Sequence, residues 1–371
     1  MKKICILQNG LARGGTDTFV VNLCRGLDKN RYDITVINPS DKSGSRVRES
    51  DIIEAEAKII HTTQLGSLKG KIKHLIQLYK ILKRGRFEVF QTNIDLFNGP
   101  NLFVAWLAGV PVRCCHSHNG SQQKQLTEGA SFSVKTYQKV MKWLCWRFSN
   151  RRCGCSEAAM DFLYAPHHWH TTKYPVIINN GIDLSAYSQS VDVVAKKKEL
   201  NLDAKYNIIA IGHLIPQKNP LFIARIFTEI CKIRKNCDLI WVGDGILKTE
   251  VMEILNKGKV AERVHFLNNR ADIPEILHCG DVFILPSNFE GLGIVAIEAQ
   301  AAGLPCVLSD RVPKEADCGA AVFLPIDSDG HQWIDTLCAI LDGHMELVPD
   351  KDKLSVFSIK NMASQMSKVF E

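Results

Sequence analysis

Short apolar runs alternate with longer amphipathic stretches along this chain, and the alternation occurs in two successive series. The first series runs through Ile4–Leu7, Ile34–Ile37, Lys58–His61, Val89–Thr92, Val112–His116 and Arg152–Cys155. The second runs through Ile208–Ile211, Leu239–Val242, Val264–Leu267, Val282–Leu285, Cys306–Leu308 and Ala321–Leu324. Apolar runs bounded by turn residues read as buried strands, and the helical periods between them read as crossover connections. Each series therefore predicts an α/β, doubly wound, Rossmann-like domain with a parallel sheet. The expected division is 1–175 for the first domain, 176–202 for a connection carrying the turn Asn179-Asn180-Gly181, and 203–354 for the second. Residues 355–371 are helical in pattern and are expected to pack back across the cleft that two such domains leave at the carboxyl ends of their strands. No internal repeat or low-complexity tract interrupts the pattern.

Composition narrows the setting. A hydrophobic share of 46% with 23% charge fits a water-soluble globular chain, and 371 residues are enough for two cores. No apolar stretch approaches the roughly 20 residues that span a bilayer, and MKKICILQNG enters a strand pattern at once, so a cytoplasmic protein without a cleavable signal is expected. The 13 Cys fit that compartment: they fall inside apolar runs and show no framework spacing. Cys114-Cys115 and Cys153-Gly154-Cys155 end predicted strands and lack the paired CxxC pattern of a zinc site.

Charge is divided unevenly. Residues 1–175 hold 26 Lys and Arg against 13 Asp and Glu, and the remainder holds 20 against 26. The first half thus suits an anionic partner such as a membrane surface, a phosphorylated lipid or a nucleic acid, although no nucleic-acid recognition motif is present. The densest basic stretch, Lys69 to Arg86, has seven cations and no acid, with Ile72, Leu75, Ile76, Tyr79 and Leu82 at helical spacing. It reads as an amphipathic helix whose apolar stripe packs on the sheet and whose basic face is free to meet lipid headgroups.

Candidate chemistry lies at the ends of the predicted strands. In DVFILPSNFEGLGIVAIEAQAAGLPCVLSD, Glu290 precedes a helix and Glu298 stands about two turns into it, on the order of 10 Å further along the axis. Gly291 and Gly293 let an anion approach the helix-start N–H groups, where the dipole favours negative charge. The spacing alone equally fits an ordinary βα unit with a solvated Glu. GHLIPQKNP ends a strand with Lys218, a cation able to neutralise a diphosphate or else a solvated lysine. The loop NGLARGGTD, containing Gly14 and Gly15, is neither GxGxxG nor a Walker A sequence, which weakens nicotinamide and P-loop readings. In CHSHNG, His116 and His118 are two residues apart, so one of the two is expected to face a cleft, and the pair alone is a poor metal site. The acidic triplet Asp327-Ser328-Asp329 reads as a turn.

Taken together, EGLGIVAIEAQAAGLP, NNGID, GHLIPQKNP, VGDG and RGGTD resemble, in order, the motifs of retaining GT4 glycosyltransferases of the GT-B architecture, closest to those of exopolysaccharide and capsule synthesis. The resemblance implies two Rossmann-like domains facing across a cleft. It places Glu290 on hydroxyls of the donor sugar, Glu298 on the ribose and Lys218 on the diphosphate, with N–H groups near Gly293 and Ile294 assisting. His116 matches the histidine beside the donor sugar, Gly14 and Gly15 match the loop facing phosphates and acceptor, and Arg270 lies near the segment that holds the base. His116, Glu290 and Lys218 are the residues expected to matter for transfer. The resemblance implies no metal and no cofactor beyond the donor, expected to be a UDP-sugar. Its acceptor would be lipid-linked or a glycan in surface polysaccharide synthesis, with the basic domain peripheral on the inner face of the cytoplasmic membrane.

Two positions depart from the pattern. His213 stands where an Arg usually follows the glycine, and imidazole cannot make the forked phosphate contact of guanidinium. It leaves open the alternative of a weakened nucleotide-sugar-binding or scaffold protein. Asp17 stands where Glu is common, which shortens the reach toward the acceptor by one methylene.

Overall fold

The structure, a computed structural model, describes residues 1–12, 14–40, 46–119, 131–164, 169, 175–268, 270–326 and 329–371. Arg13, Gly120, Tyr174 and the Asp327-Ser328 part of the acidic turn lie outside the described residues. The chain divides into two compact units, Met1–Ile182 with Val356–Glu371, and Asp183–Ser355.

Alternation along the first strand dictates how the first unit is layered. Ile4 and Ile6 enter one core while Cys5 and Leu7 enter another, and all four are fully buried, so the sheet is covered on both faces. Its strands are β1 (Lys2–Leu7), β2 (Tyr32–Asn38), β3 (Lys58–His61), β4 (Val89–Thr92), β5 (Val112–Ser117), β6 (Arg151–Gly154) and β7 (Pro175–Ile177). They are all parallel, in the order β3-β2-β1-β4-β5-β6-β7. Helix α1 (Gly15–Gly26) covers the Ile4 face through Phe19, Val20 and Leu23. On the Leu7 face lie α2 (Leu68–Gly85), α3 (Asn98–Leu107) and α4 (Phe132–Phe148), through Leu78, Leu82, Leu102 and Cys145.

Helix α2 corrects one expectation. Its buried face is Gly70, His74, Leu78 and Leu82, whereas Ile72 and Ile76 are each 53% exposed and Tyr79 is 40% exposed. The reason is His74, which sequence patterning counts as polar. Here it is fully buried, with its Nδ1 2.8 Å from Thr62 Oγ1 and its Nε2 3.2 Å from Asn101 Oδ1. Satisfying those groups turns most of the apolar stripe away from the sheet.

The second unit repeats the architecture. Its strands are β8 (Tyr206–Ile211), β9 (Cys237–Val242), β10 (Val264–Phe266), β11 (Val282–Leu285), β12 (Cys306–Ser309) and β13 (Ala321–Leu324), parallel in the order β10-β9-β8-β11-β12-β13. Ahead of the sheet lies α5 (Val193–Glu199). Helix α6 (Pro220–Ile233) packs Phe222, Phe227 and Ile230 with Ile208, Ala210 and Trp241. On the other face Cys306, whose neighbour Val307 belongs to that core, meets Ala296 of α7 (Ile294–Ala301). In both sheets the strand order reverses, at β1/β4 and at β8/β11, and the loops leaving those strands diverge into a crevice.

The last helix, α8 (Ile359–Phe370), returns to the first unit, where Met362, Met366, Val369 and Phe370 complete the Ile4–Ile6 core. It passes so close that a Cβ on Gly26 would lie 2.7 Å from Ile359 Cγ2, and one on Gly181 would lie 2.8 Å from Ile359 Cα. Asn22 Nδ2 donates to Gly181 O at 2.8 Å, so the Asn-Asn-Gly turn is held by the first unit.

Candidate active site

Within the second unit, the loops that follow β8 and β11 are joined at the point where strand order reverses. After β8 the chain turns at Gly212 and His213, forms a single 3-10 turn over Pro216–Lys218, and enters α6 through Asn219 in the left-handed conformation, φ 52°. This brings Lys218 Nζ to 2.5 Å from Glu290 Oε1, which also accepts the Ser287 hydroxyl at 2.6 Å. Glu290 is 7% exposed and the Lys218 side chain 20%, so the pair is largely withdrawn from water. Backbone bonds hold the two loops in register: Asn288 N donates to Gln217 O at 2.8 Å, and Asn288 Nδ2 to Pro216 O at 2.6 Å. Lys218 is therefore not a solvated lysine. Its position depends on a carboxylate 72 residues further along the chain.

Glycines make this packing feasible. Gly212 has φ 153°, and a Cβ there would press on Lys218 Cγ at 3.2 Å. At Gly243, φ 137°, a Cβ would fall 2.2 Å from Gly212 O, so the ends of β8 and β9 approach closely only without side chains. Helix α7 follows Gly293, φ 85°, an N-cap residue with no side chain of its own to bond the first N–H groups. Ile294 is its first residue, and Glu298, half-buried, lies on its second turn. An anion at Gly293–Ile294 would meet the positive end of the helix a few residues from Lys218's partner. His213 is exposed, with Nδ1 3.3 Å from Asp244 O.

In the first unit the loops after β1, β4 and β5 carry a buried polar group. Asp17 is 8% exposed and its carboxylate accepts from Gln8 Nε2 at 2.7 Å, Gly14 N at 3.0 Å and Ala12 N at 3.1 Å. Burial pushes its carboxyl upward despite those bonds. The shorter acid thus curls onto its own loop and fixes Gly14, while Gly15 is exposed at the start of α1.

His116 and His118 are both buried, with ring centroids 4.2 Å apart and stacked, and each meets the Phe19 ring edge-on at 4.7 and 4.9 Å. The expected alternation between them fails because β5 ends at Ser117 and His118 lies beyond its pleat. Burial holds both imidazoles neutral, His118 down to about 3 and His116 well below its ordinary value, the latter also through His118. His118 Nε2 lies 3.0 Å from Asn93 Oδ1, whereas neither ring nitrogen of His116 has a hydrogen-bond partner among the described residues.

Arg270 is engaged elsewhere in the second unit. Its guanidinium contacts Asp272 at 2.8 and 2.5 Å and Glu199 of α5 at 2.7 Å, and these bonds raise it above its ordinary range while holding Asp272 well below the usual carboxylate range. None of those partners belongs to the Lys218–Glu290 group. Ser287, Gln217, Asn288, Asn93 and Phe19 were not among the sequence candidates. Ser287 reaches Glu290 from three residues away within the same loop, whereas the bonds of Asn288 to Pro216 and Gln217 follow from the strand order.

The sequence profile described as Glycosyltransferase Family 4 matches residues 13–186, and that described as Glycosyl transferases group 1 matches residues 205–342. The chain belongs to the family 4 glycosyltransferases. This glycosyltransferase is 27% identical over 342 residues to EpsF of Bacillus subtilis, a glycosyltransferase by name, covering 91% of this chain and 87% of that one. It is 30% identical over 252 residues, 66% of this chain and 63% of the other, to the Escherichia coli UDP-Gal:alpha-D-GlcNAc-diphosphoundecaprenol alpha-1,3-galactosyltransferase. In structure it is similar to HepE of Anabaena in complex with UDP and glucose, with a TM-score of 0.81 over 99% of both chains at 16% identity. Its two parallel-sheet units are those of the GT-B fold.

Proposed function

We propose that this glycosyltransferase moves a hexose from a UDP-sugar, with retention and without a metal, to a lipid-linked or glycan acceptor in the synthesis of an exopolysaccharide, capsule or other surface polysaccharide. The observation that carries the donor site is the withdrawn Lys218–Glu290 pair at the β8/β11 crevice, in the unit whose helix α7 starts behind Gly293. When the bond between the anomeric carbon and the diphosphate breaks, charge accumulates on the departing phosphate oxygen. Lys218 and the Gly293–Ile294 N–H groups are the chain's means of stabilising it. The acceptor hydroxyl attacks the same face, and its proton passes to that phosphate oxygen, so neither Glu290 nor Glu298 acts as nucleophile. Glu290 holds sugar hydroxyls, Glu298 the ribose, and His116 contributes to the sugar. Arg270 supports the base-binding segment by anchoring Asp272 to α5. The names of the relatives support a UDP-linked donor and an acceptor on a diphosphoundecaprenol carrier. The enzyme then works as a peripheral protein on the cytoplasmic face of the membrane.

Calorimetric titration with UDP in EDTA tests the donor site, with binding expected in the wild type and weakened in Lys218→Ala and Glu298→Ala. Folded protein that binds no UDP, or binds it only with added divalent cation, overturns the reading. The exposure of His213 favours a second reading, a nucleotide-sugar-binding protein with little turnover. Sugar transfer that is gained only in His213→Arg would establish it, and transfer by the wild type would dismiss it.

A further inference from the structure

The outer face of α2, α3 and α4 has no role in the donor site, and three observations on it converge. The first is exposed apolar surface across consecutive helices that pack on one another. Ile76 is 53% exposed on α2, Trp106 46% on α3 and Trp143 50% on α4. The second is the form of that surface. Ile72, Leu75, Ile76, Tyr79, Val104 and Leu107 line an apolar groove of about 270 Å³ between α2 and α3. Beside it Phe103, Trp106 and Trp143 surround Phe148, with ring centroids 5.0, 5.4 and 6.3 Å from it. The third is charge: α2 carries six Lys and Arg, α4 carries four, and none of the three helices has a single Asp or Glu.

An apolar patch rimmed by polar groups marks an interaction surface. Uniform positive charge around it selects an anionic partner, and exposed Trp and Tyr favour the boundary between headgroups and hydrocarbon. A protein partner that filled the groove would have to bring carboxylates for ten cations along with an apolar ridge. An anionic bilayer presents both as a continuous surface.

We propose that the α2–α3–α4 face is a bilayer-seating surface: the Phe103, Trp106 and Trp143 cluster enters the headgroup–acyl boundary, the groove between α2 and α3 takes hydrocarbon, and the surrounding lysines pair with anionic headgroups. The surface gives the peripheral location a physical place. It does not depend on the transfer reading, because seating needs neither donor nor acceptor.

The test is co-sedimentation of the full chain with vesicles of phosphatidylcholine alone or with about one-third phosphatidylglycerol, at low and at about 0.5 M salt. We expect binding at least tenfold tighter to the anionic vesicles, with part of it surviving high salt because burial of the aromatic cluster is insensitive to screening. Ile76→Ser/Trp106→Ser/Trp143→Ser should lose at least tenfold on anionic vesicles. Lys73→Gln/Lys80→Gln/Lys135→Gln/Lys139→Gln should lose the preference for anionic lipid. All seven positions are exposed, so both variants should keep the wild-type circular dichroism and UDP titration. The proposal is overturned if the wild type binds neither vesicle, if the apolar variant binds as the wild type does, or if sedimentation without lipid shows a dimer that the apolar variant dissociates. The last result would assign the face to a second copy of the chain.

Discussion

Replacing Lys218 by Met separates the two jobs the structure gives this lysine. In the folded chain it neutralises Glu290, which is 7% exposed and among the described residues would otherwise keep the Ser287 hydroxyl alone. Removing one partner of a buried pair costs about 3–5 kcal/mol because the other charge is stranded. Lys218 retains 20% exposure, which places the loss near the lower end, at about 3 kcal/mol. For a unit the size of Asp183–Ser355 that corresponds to a fall in melting temperature of roughly 6–12 °C. Loss of a charge-assisted bond to a phosphate should weaken UDP binding by about 1.5–3 kcal/mol, or roughly 10- to 150-fold. Glu290→Gln behaves differently: it removes the charge that Lys218 neutralises, so UDP affinity is maintained or rises while sugar transfer falls. The double variant should recover much of the stability lost in Lys218→Met, since no carboxylate is left unpaired. Calorimetry and thermal melts on the four proteins complete the cycle. Strictly additive stability losses, or a UDP affinity in Lys218→Met within twofold of the wild type, would refute the reasoning.

Other expectations can be checked with single substitutions. Burial holds His74 neutral, with its ionisation lowered to about 4, whereas the unfolded chain titrates near 6.5; stability from this group is complete above about 6.5 and is lost as pH falls toward 4. His74→Gln should therefore flatten the slope of unfolding free energy against pH by about 1.4 kcal/mol per unit in that window, and an unchanged slope in denaturant titrations would reject the assignment. Gly243→Ala sets a Cβ 2.2 Å from Gly212 O at φ 137° and should cost at least about 3 kcal/mol; a calorimetric loss below about 1 kcal/mol would contradict the close approach. Phe370→Ala empties a fully buried site in the first unit and should destabilise that unit by about 3–5 kcal/mol, read as a downward shift of one unfolding transition with the other unmoved.

The strands were legible because both sheets are covered on both faces, which turns their strands into nearly continuous apolar runs such as Ile208–Ile211 and Val282–Leu285. Strand β7 escaped notice because Pro175–Ile177 is three residues long, too short to show a period. The face of α2 was misread because its rotation is decided by His74, whose partners Thr62 and Asn101 lie on separate elements. At the site, the motif around Glu290 was visible locally, but its ion pair was not. Lys218 meets Glu290 only because β8 and β11 are neighbours in the sheet, and sequence order places β9 and β10 between them. Asp17 stands in the acidic position of its motif, yet nothing local shows that its carboxylate turns back onto Gly14 and Ala12.

Helix α8 seals the core that Ile4 and Phe19 begin, yet it follows the whole of Asp183–Ser355 in the chain. During synthesis the first unit must therefore wait, with the surface reserved for Met362, Met366 and Phe370 uncovered while the ribosome produces the second unit. The second unit, continuous in sequence, has all its strands before that helix emerges. The core of the first unit is thus completed only after the second unit has been made, so apolar surface stays uncovered longest on the amino-terminal half.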